Sequence, residues 1–286
     1  MRIQVNRYSS PVITLSQDKS VHDAIIVMLQ KGIKQVVIVK GEIPIGVITE
    51  RDIGRFLERD TSSRALDVIR IEEIMNQSIV TINEEQEDLS KQAAIRMITF
   101  QISSVIIVDE NGKLKGIITK SDIVKNFEQI CAGTYRVRNY MSKKLMTCRK
   151  TDSLIFALRM LNKSKISRLV VTDNEGEAVG IISYDTFLRN SGYFKAEKAT
   201  RDYLLPSMSA KNMTAGDLLS SDLLVVRADD DLAQSARLMI EYKVNGMPVI
   251  DNDGNLDGII SSTDVVRAYS EIETHFRLIK KDPHFA

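Results

Sequence analysis

Four stretches of the chain carry apolar residues at helical spacing: Val21, Ala24, Ile25 and Met28; Leu89, Ala93 and Met97; Leu154, Ala157, Leu158 and Leu161; and Leu232, Ala236 and Met239. Side chains three and four positions apart share one face of a helix, so each stretch predicts a helix with one buried face. A short unbroken apolar run follows each: Val36 to Val39, Val105 to Val108, Leu169 to Val171 and Met247 to Ile250. Its β-branched content predicts a buried strand. Ahead of each helix, Val12 to Leu15, Ile79 to Ile82, Leu145 to Cys148 and Leu223 to Val226 predict a first strand. The turn after the second strand carries Gly112, Gly176 and Gly254 in the last three stretches, where a tight hairpin needs a positive φ.

After the hairpin a phrase recurs: Gly46-Val-Ile-Thr-Glu-Arg-Asp52, Gly116-Ile-Ile-Thr-Lys-Ser-Asp122, Gly180-Ile-Ile-Ser-Tyr-Asp-Thr186 and Gly258-Ile-Ile-Ser-Ser-Thr-Asp264. The glycines are 70, 64 and 78 residues apart, and each follows the start of its helical stretch by 25, 27, 26 and 26 residues. The chain is therefore four copies of a strand, helix, strand, hairpin, strand, helix unit. About 60 residues is too few for a secure independent core, so the units are expected to pack on one another. The connections between copies 1 and 2 and between copies 3 and 4 are the longer ones, which suggests two sequential pairs joined by a short bridge. Tyr193, Phe194, Tyr203 and Leu204 in the 3-to-4 connection predict that it is partly packed.

Ser or Thr followed three residues later by an acid, at the start of an apolar helix, is a helix capping box. Two features add a functional reading. The phrase places a helix N-terminus, with its orphan amides, dipole and hydroxyl, at a strand end, which suits a phosphate. The acid is Asp in three copies and never the longer Glu or Gln, and a short carboxylate there suits a ribose diol.

Taken together, the unit and its closing Gly-h-h-[Ser/Thr]-x-x-Asp resemble the cystathionine-β-synthase (CBS) domain, four times over nearly the whole chain. The four-copy arrangement is similar to that of stand-alone archaeal four-CBS proteins and of the γ subunit of AMP-activated protein kinase. The resemblance implies an α/β fold of four CBS repeats, at 1–60, 73–128, 139–190 and 215–272, arranged as two Bateman modules (disk-like tandem pairs), with 273–286 as a helix end and tail. It also implies a non-catalytic sensor for AMP, ADP, ATP or S-adenosylmethionine that requires no metal and regulates an unidentified partner protein, as a monomer or a homodimer of disks. The matching residues are Thr49 and Asp52, Thr119 and Asp122, and Ser261 and Asp264, with the Asp on the ribose and the hydroxyl by the phosphate. Copy 3 departs, because Thr186 stands at the acid position and Asp185 is rotated by about 100° on a helix. The adenine walls would be Ile79, Val80, Thr81, Ile102 and Ser103 in copy 2, and Leu224, Val225, Val244, Asn245 and Met247 in copy 4. Arg168 is expected to reach a phosphate in the Asp264 site. Lys34 lies near the corresponding place in copy 1, and Lys120 and Arg51 lie beside the phosphate in their own copies.

Composition narrows the alternatives. In 286 residues, 39 Lys and Arg face 38 Asp and Glu, so no net field holds nucleic acid or a membrane by charge. No apolar stretch approaches the ~18 residues of a membrane span. The first residues lack the apolar core of a secretory signal, and Cys131 and Cys148 form no motif, so a reducing cytoplasm is the expected location. No GxxxxGK[ST], GxGxxG or HExxH occurs, and His22, His275 and His284 fall outside equivalent positions of the repeats. Two other readings remain at this level. Arg136, Arg138, Lys143, Lys144, Arg149 and Lys150 with Tyr135 and Tyr140 make a basic, aromatic segment fit for nucleic acid. Alternatively, the repeats serve only as a scaffold.

Overall fold

The computed structural model describes residues 12–62, 64–191, 213–219 and 223–281, and of 273–281 the backbone alone. Repeat 1 runs β1 (Thr14–Ser16), α1 (Val21–Lys31), β2 (Gln35–Lys40), β3 (Ile43–Thr49), α2 (Glu50–Arg59). Repeat 2 runs β4 (Thr81–Asn83), α3 (Leu89–Thr99), β5 (Ser104–Val108), β6 (Leu114–Thr119), α4 (Lys120–Ile130), and is followed by the short α5 (Val137–Tyr140). Repeat 3 runs β7 (Thr147–Arg149), α6 (Leu154–Ser164), β8 (Arg168–Thr172), β9 (Ala178–Ser183), α7 (Tyr184–Arg189). Repeat 4 runs β10 (Val226–Arg227), α8 (Leu232–Glu241), β11 (Gly246–Ile250), β12 (Leu256–Ser261), α9 (Ser262–Lys281). The residues Tyr193, Phe194, Tyr203 and Leu204 lie outside the described residues.

Each repeat forms its own three-stranded sheet, the first strand parallel to the second and the second antiparallel to the third. The hairpin glycines Gly112, Gly176 and Gly254 have φ of 75, 92 and 91°, the left-handed region expected of them. Repeat 1 turns one residue sooner, through Gly41 at φ 63°, with Lys40 paired to Ile43. The first strands begin about two residues later than the apolar runs that announce them. Before them the chain makes single ladder bonds, such as Ile106 N–H to the Val80 carbonyl at 3.1 Å.

The helices decide how repeats combine, and they do not follow the connection lengths. The described residues of Ile13–Ile79 and Leu145–Leu223 form one compact unit, uniting repeats 1 and 3; repeats 2 and 4 form the other. In the first unit α2 packs on α6 and α7, with Ile53, Leu57, Leu158, Leu161, Phe187 and Leu188 in one buried cluster. In the second, α4 packs on α8 and α9 around Ile123, Phe127, Met239 and Val266. Full burial of such a side chain contributes about 1.5 to 3 kcal/mol, so helical faces outweigh the small entropic differences between connections of similar length.

The segments between repeats add a further tie within each unit, one that the apolar pattern does not announce. Asn76 exchanges two backbone hydrogen bonds of 2.9 Å with Val47 of β3, and Ser142 exchanges bonds of 2.9 and 3.0 Å with Ile259 of β12. These approaches account for the phrase glycines. A Cβ on Gly46 would lie 2.8 Å from the Met75 sulfur, and one on Gly258 would lie 2.9 Å from the Ser142 carbonyl. Segment 213–219 completes repeat 3: Leu154 N–H donates to the Met213 carbonyl at 2.9 Å, and a Cβ on Gly180 would meet Leu219 at 2.5 Å.

Gly54 in α2 has a different cause. Tyr184, the first residue of α7, lies against it, and an added Cβ would fall 2.5 Å from the ring. Ala exceeds Gly in helix propensity by about 1 kcal/mol, whereas overpacking costs about 1 to 3 kcal/mol. Gly54→Ala is therefore expected to lower the melting temperature by a few degrees. In a Tyr184→Ser background, where the ring is gone, the same change is expected to raise it. Thermal denaturation of the four proteins checks this, and a stabilising Gly54→Ala in the wild-type background contradicts the packing.

Candidate functional site

In all four repeats the third strand hands directly to a helix, and its last residue, Thr49, Thr119, Ser183 or Ser261, pairs across the hairpin with Gln35, Ser104, Arg168 or Gly246. In repeats 1 and 2 a complete capping box closes there, and in repeat 4 the carboxylate half of one does. Thr49 N–H and Oγ1 donate to Asp52 Oδ2 at 3.0 and 2.6 Å, while Asp52 N–H donates back to Oγ1 at 3.2 Å. Thr119 and Asp122 repeat this at 2.8, 2.7 and 3.4 Å. Ser261 N–H and Oγ donate to Asp264 Oδ2 at 2.9 and 2.7 Å. One carboxylate oxygen satisfies both groups of the strand end. The other oxygen turns to an arginine in two of the three repeats. Asp264 Oδ1 meets Arg267 at 3.1 Å, and Asp52 Oδ1 meets Arg55 at 4.0 Å. Burial raises the Asp52 pKa, against the pull of the Thr49 hydroxyl and amide.

Repeat 3 caps without a carboxylate: Ser183 N–H donates to Thr186 Oγ1 at 3.2 Å, and Asp185 is taken by Arg189 at 2.7 Å. The expected adenine walls divide. Ile79, Val80, Ile102, Leu224, Val244 and Asn245 are half-buried, while Thr81, Ser103 and Val225 are exposed. Met247 is corrected: it is wholly buried in the core of repeats 2 and 4, paired with Ile260, and presents no wall.

The variable residues of the phrase point at the paired repeat, which sequence reasoning missed. In the unit of repeats 2 and 4, Lys120 Nζ donates to Thr263 Oγ1 at 2.8 Å, bringing the two intact turns together. In the unit of repeats 1 and 3, Arg51 donates to Ser167 Oγ at 2.8 Å and stands 6.0 Å from the Tyr184 ring. Tyr184 OH donates to Asn162 Oδ1 at 2.8 Å.

Glu50, the first residue of α2, is the one Asp, Glu, Lys, Arg or His that is buried among the described residues, at 8% exposure. Its N–H donates to the Lys34 carbonyl at 3.0 Å. Burial pushes its pKa up to about 7, against the pull of Lys34 and Arg168 and with the help of Asp185. Lys34, itself exposed at the surface, has its pKa lowered by the desolvated surroundings of the turn. Arg168 thus stands among the charges of repeats 1 and 3, whereas Ser261 and Asp264, with which it was expected to act, belong to the other unit. A lone Glu where the other copies hold Lys120, Tyr184 and Ser262 was the available signal.

The two aromatics of the basic segment are not exposed for stacking on bases. Tyr135 and Tyr140 are buried and packed with Phe127, the first pair at a centroid distance of 5.8 Å. Arg138 pairs with Asp229, Lys143 meets Asp257 at 3.4 Å, and Arg136 donates to the Asp229 carbonyl at 3.2 Å. Among the described residues no group of three His, Cys, Asp or Glu could hold a metal ion, and no helix is long and apolar enough to cross a membrane.

Comparison with known proteins follows the same repeat. The model of the CBS domain matches residues 5–59, 71–129, 137–192 and 215–271. The protein MJ1404 of Methanocaldococcus jannaschii is 26% identical over all of this chain and 68% of its own length. The crystal structure of MJ1225 from the same organism, described as a putative archaeal homolog of γ-AMPK, superposes with a TM-score of 0.79 at 20% identity, covering 91% of this chain and 97% of its own. CBSX2 of Arabidopsis thaliana is 31% identical over 49% of this chain and 66% of its own length.

Glu50 gives stability a pH dependence of definite sign. Its pKa in the folded chain lies above the 4.5 of the free side chain, so folding favours the protonated form. Its contribution is complete below pH ~4.5 and is lost as pH rises through about 7, a change on the order of 3 kcal/mol. Glu50→Gln is therefore expected to leave the melting temperature near that of the wild type at pH 5 and to raise it by several degrees at pH 8. Parallel melting curves across that range contradict the buried acid.

Proposed function

The chain belongs to the CBS domain family, and from that premise we propose that it is a non-catalytic regulatory protein whose repeats bind adenosine-containing ligands, namely AMP, ADP, ATP or S-adenosylmethionine. One observation carries the reading. Three Ser/Thr-x-x-Asp turns each hold a hydroxyl and a carboxylate oxygen 2.6 to 2.7 Å apart at a helix N-terminus. The carboxylate's second oxygen suits a ribose diol, and the helix end with its hydroxyl suits a phosphate. Val80, Ile102, Leu224 and Val244, half-buried against the core, offer apolar cover for a base. Repeat 3 holds no ribose, because Thr186 supplies no charge. Occupancy would bias the chain's conformation and so control an unidentified protein partner in the cytoplasm, with the chain acting as a monomer or a homodimer.

A scaffold reading is favoured by a specific fact: the Thr49–Asp52 and Thr119–Asp122 boxes are complete as caps without any ligand. The two readings part on variants. Losing a charge-assisted hydrogen bond to ribose costs about 1.5 to 3 kcal/mol, or roughly ten- to hundred-fold in affinity. Losing a cap costs about 1 kcal/mol of stability and leaves affinity alone. Asp122→Ala and Asp264→Ala are each expected to weaken or remove one calorimetric site for AMP or ATP, and Asp185→Ala to remove none. Lower melting temperatures with every nucleotide affinity intact would establish the scaffold.

A further inference from the structure

The charges around Glu50 come from four elements of two repeats. Lys34 precedes β2, Glu50 opens α2, Arg168 opens β8, and Asp185 and Arg189 lie on α7. On its own helix the nearest ionisable neighbours are Arg51, turned to Ser167, and Asp52, closed onto Thr49. Glu58, further along α2, faces Arg159 and Asn162 of α6 at the opposite end of the helix. Three cations and two acids therefore surround one turn, and the more deeply buried acid sits beside the helix N-terminus that would receive a phosphate. A carboxylate there opposes an incoming anion, and a carboxylic acid can donate a hydrogen bond to it.

We propose that Glu50 makes anion binding between repeats 1 and 3 proton-linked: a phosphoryl group drawn to Lys34 and Arg168 enters together with one proton, taken from solvent onto the Glu50 carboxylate. This rests on the nucleotide-binding reading of the Thr49–Asp52 turn. Affinity at this site is then high in mildly acidic solution and falls as the medium becomes alkaline. The turns of repeats 2 and 4, with Lys120 and Ser262 at the same position, have no such linkage.

Calorimetry with AMP between pH 7.5 and 9 tests it, because the nucleotide phosphate is already a dianion there. The full chain carrying Asp122→Ala and Asp264→Ala isolates the repeat 1 site. Its affinity is expected to fall by up to about tenfold per pH unit, the slope of one linked proton. Adding Glu50→Gln is expected to flatten the slope, which a slope due to Lys34 would survive. In the wild type, which needs no variant to fold, heats measured in buffers of different ionisation enthalpy are expected to show proton uptake. AMP bound with no slope and no uptake overturns this inference while the nucleotide reading stands, as does a slope unchanged by Glu50→Gln. Failure of the wild type to bind AMP at any pH overturns both.

Discussion

The molecule depends on a backbone problem solved four times. Where the third strand of each repeat passes straight into a helix, the first amides of the helix have no partner within it, and the last residue of the strand must satisfy them while its own N–H finds an acceptor. A Ser or Thr with an Asp three residues on does both, and one carboxylate oxygen is sufficient for it. That economy links structure to function. The second oxygen is not needed for the cap, and in Asp264 it accepts from Arg267, so one side chain ends a strand, begins a helix and ties down a cation. Thr186 in repeat 3 shows the structural half alone: the cap persists and the charge is gone.

The same turns also carry the packing between repeats. The two residues between the hydroxyl and the acid are unconstrained by the cap, and the chain spends them on the paired repeat. Lys120 reaches Thr263, Arg51 reaches Ser167, and Tyr184 covers Gly54. A ligand arriving at one of these turns meets residues already engaged with the opposite repeat. On the proposed function, occupancy of a turn would act on the contact on which the compact unit depends.

Much of this was legible in the sequence because it is local. The helical faces, the β-branched strands, the positive-φ glycines and the capping boxes each depend on residues within about a turn of one another, and the structure has them. The first strands were displaced because apolar side chains continue before the ladder starts, as Val80 does. What the sequence left obscure is long-range. Gly46 and Gly258 are small because Met75 and Ser142 lie against them, segments with no periodicity of their own. The union of repeats 1 and 3 depends on helix faces over a hundred residues apart. Met247 reads equally as wall or core until its neighbours are known, and Tyr135 and Tyr140 read as stacking platforms until they are seen to be buried.

The central claim is that the Ser/Thr-x-x-Asp turns hold adenosine ligands as well as capping helices. Native mass spectrometry of the chain, purified gently and without added nucleotide, tests it most directly. The account predicts mass additions that fragment to an adenosine-containing compound, no more than three per chain. Bare polypeptide that stays bare after incubation with AMP, ATP and S-adenosylmethionine contradicts it.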